Sequence, residues 1–259
     1  MEMKKVLVEF IQDRSFSMKG DENFNLWLET VGGFKTFVEK LRKEGADKGI
    51  DYTFSLTTFD TLVDTPIIAT PINKVDLDVL KDYGPRGSTA LYDAVGTAIL
   101  NIDKNRNGAE KVICVIVTDG QENSSREWKK AALHTIIDER LNAGDWTFMY
   151  LGTQPETWDD AGAVGINTSS VASYTPTMAR AAYTNAAAAV NRLACDSVLG
   201  SRSIMADYLS DDELVKAGMH VRRPSAKTPV PPAAPPAQVI TPPVITTTTT
   251  PSKSAGRWR

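Results

Sequence analysis

The sequence has few of the residues that usually bind soft metals or cross-link a small fold. It contains two cysteines, Cys114 and Cys195, and two histidines, His134 and His220, and their spacing does not match a zinc site. Because a disulfide framework needs more cysteines, we expect Cys114, inside an apolar run, to be a buried thiol. Neither histidine lies near other candidate site residues in sequence, so a serine–histidine hydrolase lacks an evident base.

Long hydrophobic runs and nucleotide-binding glycine motifs are also missing. The apolar stretch near the N-terminus, residues 6–11, is interrupted by Glu9 and is too short for a secretory signal or a membrane span. No Gly-x-x-x-x-Gly-Lys or Gly-x-Gly-x-x-Gly segment is present to hold phosphates. We therefore expect a cytoplasmic protein, free or assembled into a larger particle, that has no membrane partner.

Charge and proline are distributed unevenly along the chain. From Pro224 onward there are four basic residues and no acidic ones, so the formal charge of −3 leaves about −7 on residues 1–223, which argues against nucleic-acid binding. The same segment holds nine of the 14 prolines and a threonine run, which predicts a disordered, extended tether. It ends in Arg257-Trp258-Arg259, and both a solubilising end and a short docking peptide remain open interpretations.

The rest of the chain alternates between strand-like and helix-like patterns, with residues 62–68 expected to pair antiparallel with residues 52–59. This alternation predicts an α/β fold, a doubly wound, Rossmann-like three-layer sandwich with a mainly parallel sheet and one antiparallel edge strand. We expect a domain over residues 1–205, a short helical extension over 206–223 and a tail over 224–259. The predicted strands are 5–12, 52–59, 62–68, 111–118, 146–151 and 164–166, and the predicted helices are 24–41, 89–102, 127–142, 155–161 and 178–199.

Polar side chains follow two of the predicted strands and precede one helix. Asp13-Arg14-Ser15-Phe16-Ser17 comes after the first strand, Asp119 follows residues 111–118, and Thr89 ends a glycine-containing loop. Because ligands bind at the carboxyl ends of parallel strands, we expect these side chains to meet at one sheet edge. Their oxygens suit a magnesium-class cation. Taken singly, each segment also fits a structural turn, with Ser17 and Thr89 as helix caps.

Three segments together resemble the von Willebrand factor type A (VWA) domain family. They are Phe10–Met18, Gly87–Ala94 and Val117–Ser125, and they occur in the order and in the strand or helix contexts that the family requires. The resemblance covers about residues 4–200. It implies a metal-ion-dependent adhesion site (MIDAS), in addition to the α/β fold predicted above.

The resemblance assigns each oxygen a role. Ser15, Ser17 and Thr89 would contact the cation through their hydroxyls, and Asp13 and Asp119 would act mostly through water. The implied ion is Mg²⁺, with Mn²⁺ or Ca²⁺ as alternatives. Since two carboxylates leave a divalent ion without surplus anionic ligands, a vacant octahedral position can accept a carboxylate from a partner.

The implied function is a non-enzymatic, metal-dependent protein–protein interaction module. Its partner would present an acidic residue, and an AAA+ ATPase or an assembly component is the candidate partner that the resemblance suggests. The alternative is a structural or assembly component of a larger particle, tethered through the Pro/Thr-rich tail. An enzyme with Asp13 as nucleophile is the weakest alternative, because Ser15 stands where such enzymes usually have a second carboxylate.

The residues around the proposed ligands have less definite roles. Arg14 and Phe16 are assigned no metal role, and Phe16 is expected to pack rather than to contact a partner. Glu122, Asn123 and Ser124 follow the second aspartate. They either frame the metal face or form a solvated loop that caps a helix, and the sequence does not decide between the two.

Overall fold

The computed structural model describes residues 3–106, 108–154, 156–196 and 205–222, with only the backbone described for 205–206. In this part of the chain a single sheet lies at the centre of the fold. Its strands are β1 (Lys4–Asp13), β2 (Ile50–Phe59), β3 (Val63–Pro71), β4 (Lys111–Thr118), β5 (Trp146–Gly152), β6 (Val171–Tyr174) and β7 (Met219–Val221). The helices are α1 (Leu26–Lys48), α2 (Leu91–Asn105), α3 (Lys130–Ala143), α4 (Thr157–Ala163), α5 (Ala179–Cys195), α6 (Met205–Tyr208) and α7 (Asp211–Lys216).

The strand order in the sheet is β3-β2-β1-β4-β5-β6-β7. Strands β2, β1, β4, β5 and β6 run parallel, whereas β3 pairs antiparallel with β2 and β7 pairs antiparallel with β6. The mainly parallel, doubly wound α/β fold predicted from the sequence is confirmed, including the antiparallel pairing of β2 with β3. The structure adds a second antiparallel edge strand, β7.

Helices cover both faces of the sheet, so its central strands are apolar on both sides. Val8 and Phe10 of β1 join the cluster that contains side chains of α1 and α5, while Leu7 and Ile11 join the cluster of α2 and α3. Every residue of β4 after Lys111 is buried. Such continuous burial explains why the central strands appear in the sequence as unbroken apolar runs.

The last strand of the parallel set lies elsewhere than predicted. Residues 164–166 form a turn after α4 and not a strand, and the strand is β6, five residues further along. Gly165 has a φ of 88°, outside the extended region, while Val164 and Ile166 are buried in the core as turn residues. Their alternating burial imitates a strand, which is why the sequence pattern misleads here.

The segment after α5 contains more than the helix that its sequence predicts. Within residues 206–223, α7 begins with a capping box at Ser210 and Glu213 and is followed by β7. The Pro/Thr-rich tail and the interpretations attached to Arg257-Trp258-Arg259 lie outside the described residues. Within the described residues, no helix is both long and apolar enough to span a membrane.

Candidate metal site

Three loops meet at the carboxyl edge of the parallel strands. Asp13 is the last residue of β1, Asp119 follows the end of β4, and Thr89 lies two residues before α2. β1 and β4 are neighbours in the sheet, with Gln12 paired to Val117, so their ends lie side by side. The strand order itself therefore places the first and third loops together.

Oxygens from these loops converge around one point beside Gly120. A β-carbon built on that glycine would lie 3.0 Å from Thr89 Oγ1, 3.3 Å from Ser17 Oγ and 3.7 Å from Asp13 Oδ2. The space is left open because residue 120 has no side chain. Three hard oxygens from two of the loops, together with Gly120 of the third loop, thus line a volume that a single atom would fill.

The other two predicted residues are hydrogen-bonded into the same group. Ser17 donates its hydroxyl to Asp119 Oδ1 over 2.6 Å, and the Ser15 and Ser17 hydroxyl oxygens are 3.0 Å apart. The turn Phe16–Lys19 has no side-chain capping bond at its start. The structure therefore brings all five predicted residues together, and the hydroxyl of Ser17 points to Asp119 instead of capping a helix.

Asp13 is fully buried and fixed at both carboxylate oxygens. The backbone N–H of Ser15 donates to Oδ1 over 2.6 Å, and the Thr118 hydroxyl donates to Oδ2 over 2.5 Å. Burial raises the pKa of Asp13 to about 7, although these hydrogen bonds oppose the rise. Burial also raises the pKa of Asp119. A cation bound between the two carboxyl groups would oppose this effect of burial and favour their ionised forms.

Thr89 is held by its backbone, which leaves the hydroxyl for other contacts. Its N–H donates to Asn123 Oδ1 over 2.9 Å, and its carbonyl accepts from the N–H of Asn123 over 3.0 Å. The N-cap of α2 is Ala90, and the first-turn N–H groups of Tyr92 and Asp93 donate to Glu122 and Ser125, not to Thr89. The helix-cap interpretation of Thr89 is therefore wrong.

Two carboxylates stabilise these loops: Glu122, which the sequence already marks as a candidate, and Asp93, which it does not. Glu122 accepts the backbone N–H of Tyr92 over 2.9 Å, which ties its loop to the first turn of α2. Asp93 accepts three backbone N–H groups in return. Glu122 thus caps the first turn of α2, and Asn123 binds the backbone of Thr89. The loop therefore both caps a helix and frames the candidate site, so the two alternatives from the sequence apply together. The N–H donors to Asp93 belong to Arg126, Glu127 and Trp128.

A buried ion-pair cluster links the first two loops. Asp60, at the end of β2, accepts contacts from Arg14 Nε at 3.1 Å and from Arg86 Nε at 2.8 Å. Its backbone carbonyl also accepts the N–H of Ala90. Arg14 is only 4% exposed and points toward Asp60, away from the converging oxygens. No sequence motif predicts the role of Asp60, because its partners are distant in the chain.

The donor set fits a hard divalent cation. The five side chains offer only oxygen. Four of them, Ser15, Ser17, Thr89 and Asp119, line a cavity of about 440 Å³, and Asp13 is buried behind them. Among the described residues, no group of three or more histidine, cysteine, aspartate or glutamate side chains gathers anywhere. A soft-metal or carboxylate-rich centre is therefore absent from the described part of the chain, whereas a hydroxyl-rich site with two carboxylates is present.

Phe16 does not pack as expected. Its side chain is 63% exposed and lines the cavity, between the two serines. Met18, two residues later, is the fully buried residue of this turn. The expectation of a packing role for Phe16 is therefore wrong.

Comparison with solved structures identifies the fold. Proximal thread matrix protein 1 from the mussel byssus matches with a TM-score of 0.56 and 16% identity over 74% of this chain and 47% of that chain. Another structure of that protein, described as having a zinc-occupied MIDAS motif, matches with a TM-score of 0.50 and 14% identity over 71% and 46% of the two chains.

Two bacterial structures match similarly. A von Willebrand factor type A protein from Catenulispora acidiphila gives a TM-score of 0.54 and 16% identity over 71% of this chain and 42% of that chain. The vWF domain of the type V pili tip protein Mfa5 from Porphyromonas gingivalis gives 0.56 and 12% over 73% and 96%.

This chain thus matches less than half the length of the mussel and Catenulispora proteins, but almost all of the Mfa5 domain. No protein-family model matches the sequence, and no curated protein matches it. At these identities the comparisons establish the architecture and not the function. The strand order, the covering helices and these matches together show that the chain has the fold of a von Willebrand factor type A domain.

Proposed function

We propose that this chain is a protein–protein interaction module that binds a divalent cation and, through it, a carboxylate of its partner. The cation ligands would be Asp13, Ser15, Ser17, Thr89 and Asp119. The observation that supports this most directly is the convergence of three oxygens, two from the loop of Asp13 and Ser17 and one from Thr89, on the open point beside Gly120 of the third loop. A structural turn would need no such convergence.

The residues themselves suggest how such a module works. Three hydroxyls are neutral ligands, so a divalent ion held by them and by two aspartates keeps enough positive charge to attract another anion. When bound, the ion supplies this electrostatic attraction. The open cavity, which Ser15, Ser17, Thr89 and Asp119 line, gives a partner side chain access to the proposed ligands.

Mg²⁺ is the proposed ion because every donor is a hard oxygen. The zinc-occupied MIDAS of the mussel byssus protein supports a divalent cation in this fold without identifying the ion in this chain. Mn²⁺ and Ca²⁺ remain alternatives, and titrating each ion in turn would rank them.

A non-enzymatic role is part of the proposal. Among the described residues, no histidine, lysine or cysteine lines the cavity, so no strong base other than the carboxylates faces it. His134 packs beside Gly165, and His220 lies in β7. The structure-matched proteins include a pilus tip protein and a byssus matrix protein, which favours an assembly or adhesion partner over an AAA+ ATPase. A cytoplasmic location also remains a proposal.

Isothermal titration with Mg²⁺ tests the metal site directly. Two variants are informative: Thr89→Val removes a ligand hydroxyl while keeping the side-chain shape, and Gly120→Ala fills the converging point without removing any ligand. We expect each to weaken Mg²⁺ binding by about tenfold or more. Asp13→Ala is a less specific test, because Asp13 also holds Thr118 and the Ser15 backbone.

Gly84→Ala is the matched control for Gly120→Ala. A β-carbon at Gly84 meets no atom within 4 Å, and its φ is not positive. This variant should bind Mg²⁺ as the wild type does. Equal affinity in wild type, Thr89→Val and Gly120→Ala would show that the cation, if bound at all, binds elsewhere.

A further inference from the structure

An aromatic ring stands exposed at the candidate metal site. Phe16 lies between the proposed ligands Ser15 and Ser17, lines the cavity, and is 63% exposed. The Lys19 amine lies 5.7 Å from the centre of its ring. When a partner covers a large apolar side chain that is exposed to water, the free energy of the complex is lowered.

The backbone around Phe16 is held firmly, so the ring is presented in a defined place. The N–H of Phe16 donates to the carbonyl of Gly87 over 3.2 Å, which joins the two loops of the site. Met18 is fully buried and anchors the same turn, and its N–H donates to the Ser15 carbonyl over 3.0 Å. A pre-positioned ring loses little conformational entropy on binding.

Positive charge stands on the same edge. Arg86 is 64% exposed although its Nε contacts Asp60, so much of its guanidinium faces solvent next to the loop of Gly87 and Ser88. Lys19 is also exposed. Glu156 is an exposed acidic residue of the cavity lining, so the complementarity to an acidic segment of a partner comes from the bound cation and from Lys19 and Arg86 on the Phe16 side.

We propose that Phe16 is the apolar anchor of this interaction surface, and that the partner segment presents an acidic side chain with an apolar side chain beside it. The carboxylate would bind the cation while the apolar group covers the Phe16 ring. Because Phe16 lines the cavity beside the proposed ligands Ser15 and Ser17, a segment that reaches the cation can cover this ring at the same time. The inference rests on the function proposed above and adds the chemistry of the residue next to the carboxylate.

Selection from a random peptide library tests this inference. The full chain is immobilised in Mg²⁺, phage displaying random peptides are bound, and bound phage are eluted with EDTA. We expect the eluted peptides to be enriched in aspartate or glutamate with leucine, isoleucine, methionine or phenylalanine within two positions. A synthetic peptide of the selected sequence should bind about tenfold more weakly to Phe16→Ser, and Phe16→Leu should restore most of the loss.

The controls separate the ring from the metal site and from general surface effects. Phe16→Ser should bind Mg²⁺ as the wild type does, because its side chain is not a proposed ligand. Leu100→Ser is the matched control, since Leu100 is 41% exposed on α2 and does not line the cavity. It should bind the peptide normally.

Two different results would overturn the inference. Peptides enriched in acidic residues alone, or bound equally by wild type and Phe16→Ser, would refute the role of Phe16 while leaving the metal-dependent module intact. Elution that does not depend on EDTA, or that shows no acidic enrichment, would refute the proposed function and this inference with it.

Discussion

Asp13 and Glu9 lie on the same face of β1, four residues apart, and both are fully buried. Burial raises the pKa of Asp13 to about 7 and that of Glu9 to about 8. Asp13 has hydrogen bonds to both oxygens. Glu9 accepts a hydrogen bond from Thr57 over 2.7 Å at one oxygen, and its other oxygen has no partner among the described residues.

The two carboxyl groups differ in what surrounds them. Glu9 lies in mid-strand, where Leu7 and Ile11 on the same face belong to the apolar core. Asp13 ends its strand next to the Thr118 hydroxyl, and the hydroxyls of Ser17 and Thr89 nearby line an open cavity. The comparison shows that burial by itself perturbs a carboxyl group, whereas converging oxygens beside an open cavity make it a candidate ligand.

The largest expected effect concerns Glu9. In the folded state its pKa is about 8 against an ordinary 4.5, so the unfolded chain ionises first as pH rises. The stability associated with neutral Glu9 is complete below about pH 4.5 and is lost as pH rises through about 8. Glu9→Gln, which stays neutral, should therefore unfold with a free energy higher than wild type by a few kcal/mol at pH 9 and by much less at pH 5.

Urea unfolding at pH 5, 7 and 9 measures this difference. Subtracting the unfolding free energy of the wild type from that of the variant at each pH isolates the contribution of Glu9, because Asp13 is present in both proteins. Glu39→Gln makes the same chemical change at an exposed position of α1 and is the matched control. Parallel curves for wild type and Glu9→Gln would mean that Glu9 is no different from an exposed glutamate.

A smaller effect is expected from cation binding, which should stabilise the fold through the candidate metal site and not through Glu9. At a Mg²⁺ concentration of about 100 Kd, the wild type should gain about 2.7 kcal/mol in free energy of unfolding. Glu9→Gln should keep this gain, because Glu9 is enclosed, and Thr89→Val should lose most of it. Thermal or urea unfolding with and without Mg²⁺ gives the answer. If Glu9→Gln abolished the gain, the cation would bind in the interior near Glu9, and the strand end at Asp13 would not be the cation site.

The smallest effect concerns a residue that holds one of the proposed ligands in place. Asn123→Ala removes the acceptor that holds the Thr89 N–H. We expect Mg²⁺ affinity to fall by about tenfold, since loss of a ligand's supporting contact typically costs 10–100-fold. Gln121→Ala is the control, because Gln121 also lines the cavity and is exposed. Equal loss in both variants would indicate a general disturbance of the loop and not a specific role for Asn123.

The sequence is most informative where chemistry and strand ends coincide. Asp13 and Asp119 each follow a long buried strand, so the parallel topology alone predicts that they meet, and the structure brings them together. Thr89 was predicted from its loop, and the helix that starts at Leu91 confirms its place at the edge. Their roles as ligands remain predictions.

The supporting residues were not predictable for a physical reason. Asp93 and Asp60 act through partners that lie between 26 and 46 residues away, and their contacts depend on how loops pack. Glu9 is visible in the sequence only as an interruption of an apolar run. The turn at residues 164–166 buries alternate residues as a strand does, and β7 has only three residues, too few to show a period.

Strand β7 has a practical consequence for any attempt to shorten the chain. Met219, His220 and Val221 pair with Tyr174, Ser173 and Ala172, so β7 shields the outer edge of β6. A chain cut at residue 205 would leave those backbone groups unpaired, and an uncovered strand edge is a template for joining a second molecule. Such a truncated protein should self-associate and precipitate, whereas a chain that keeps residues up to 222 retains its protective border.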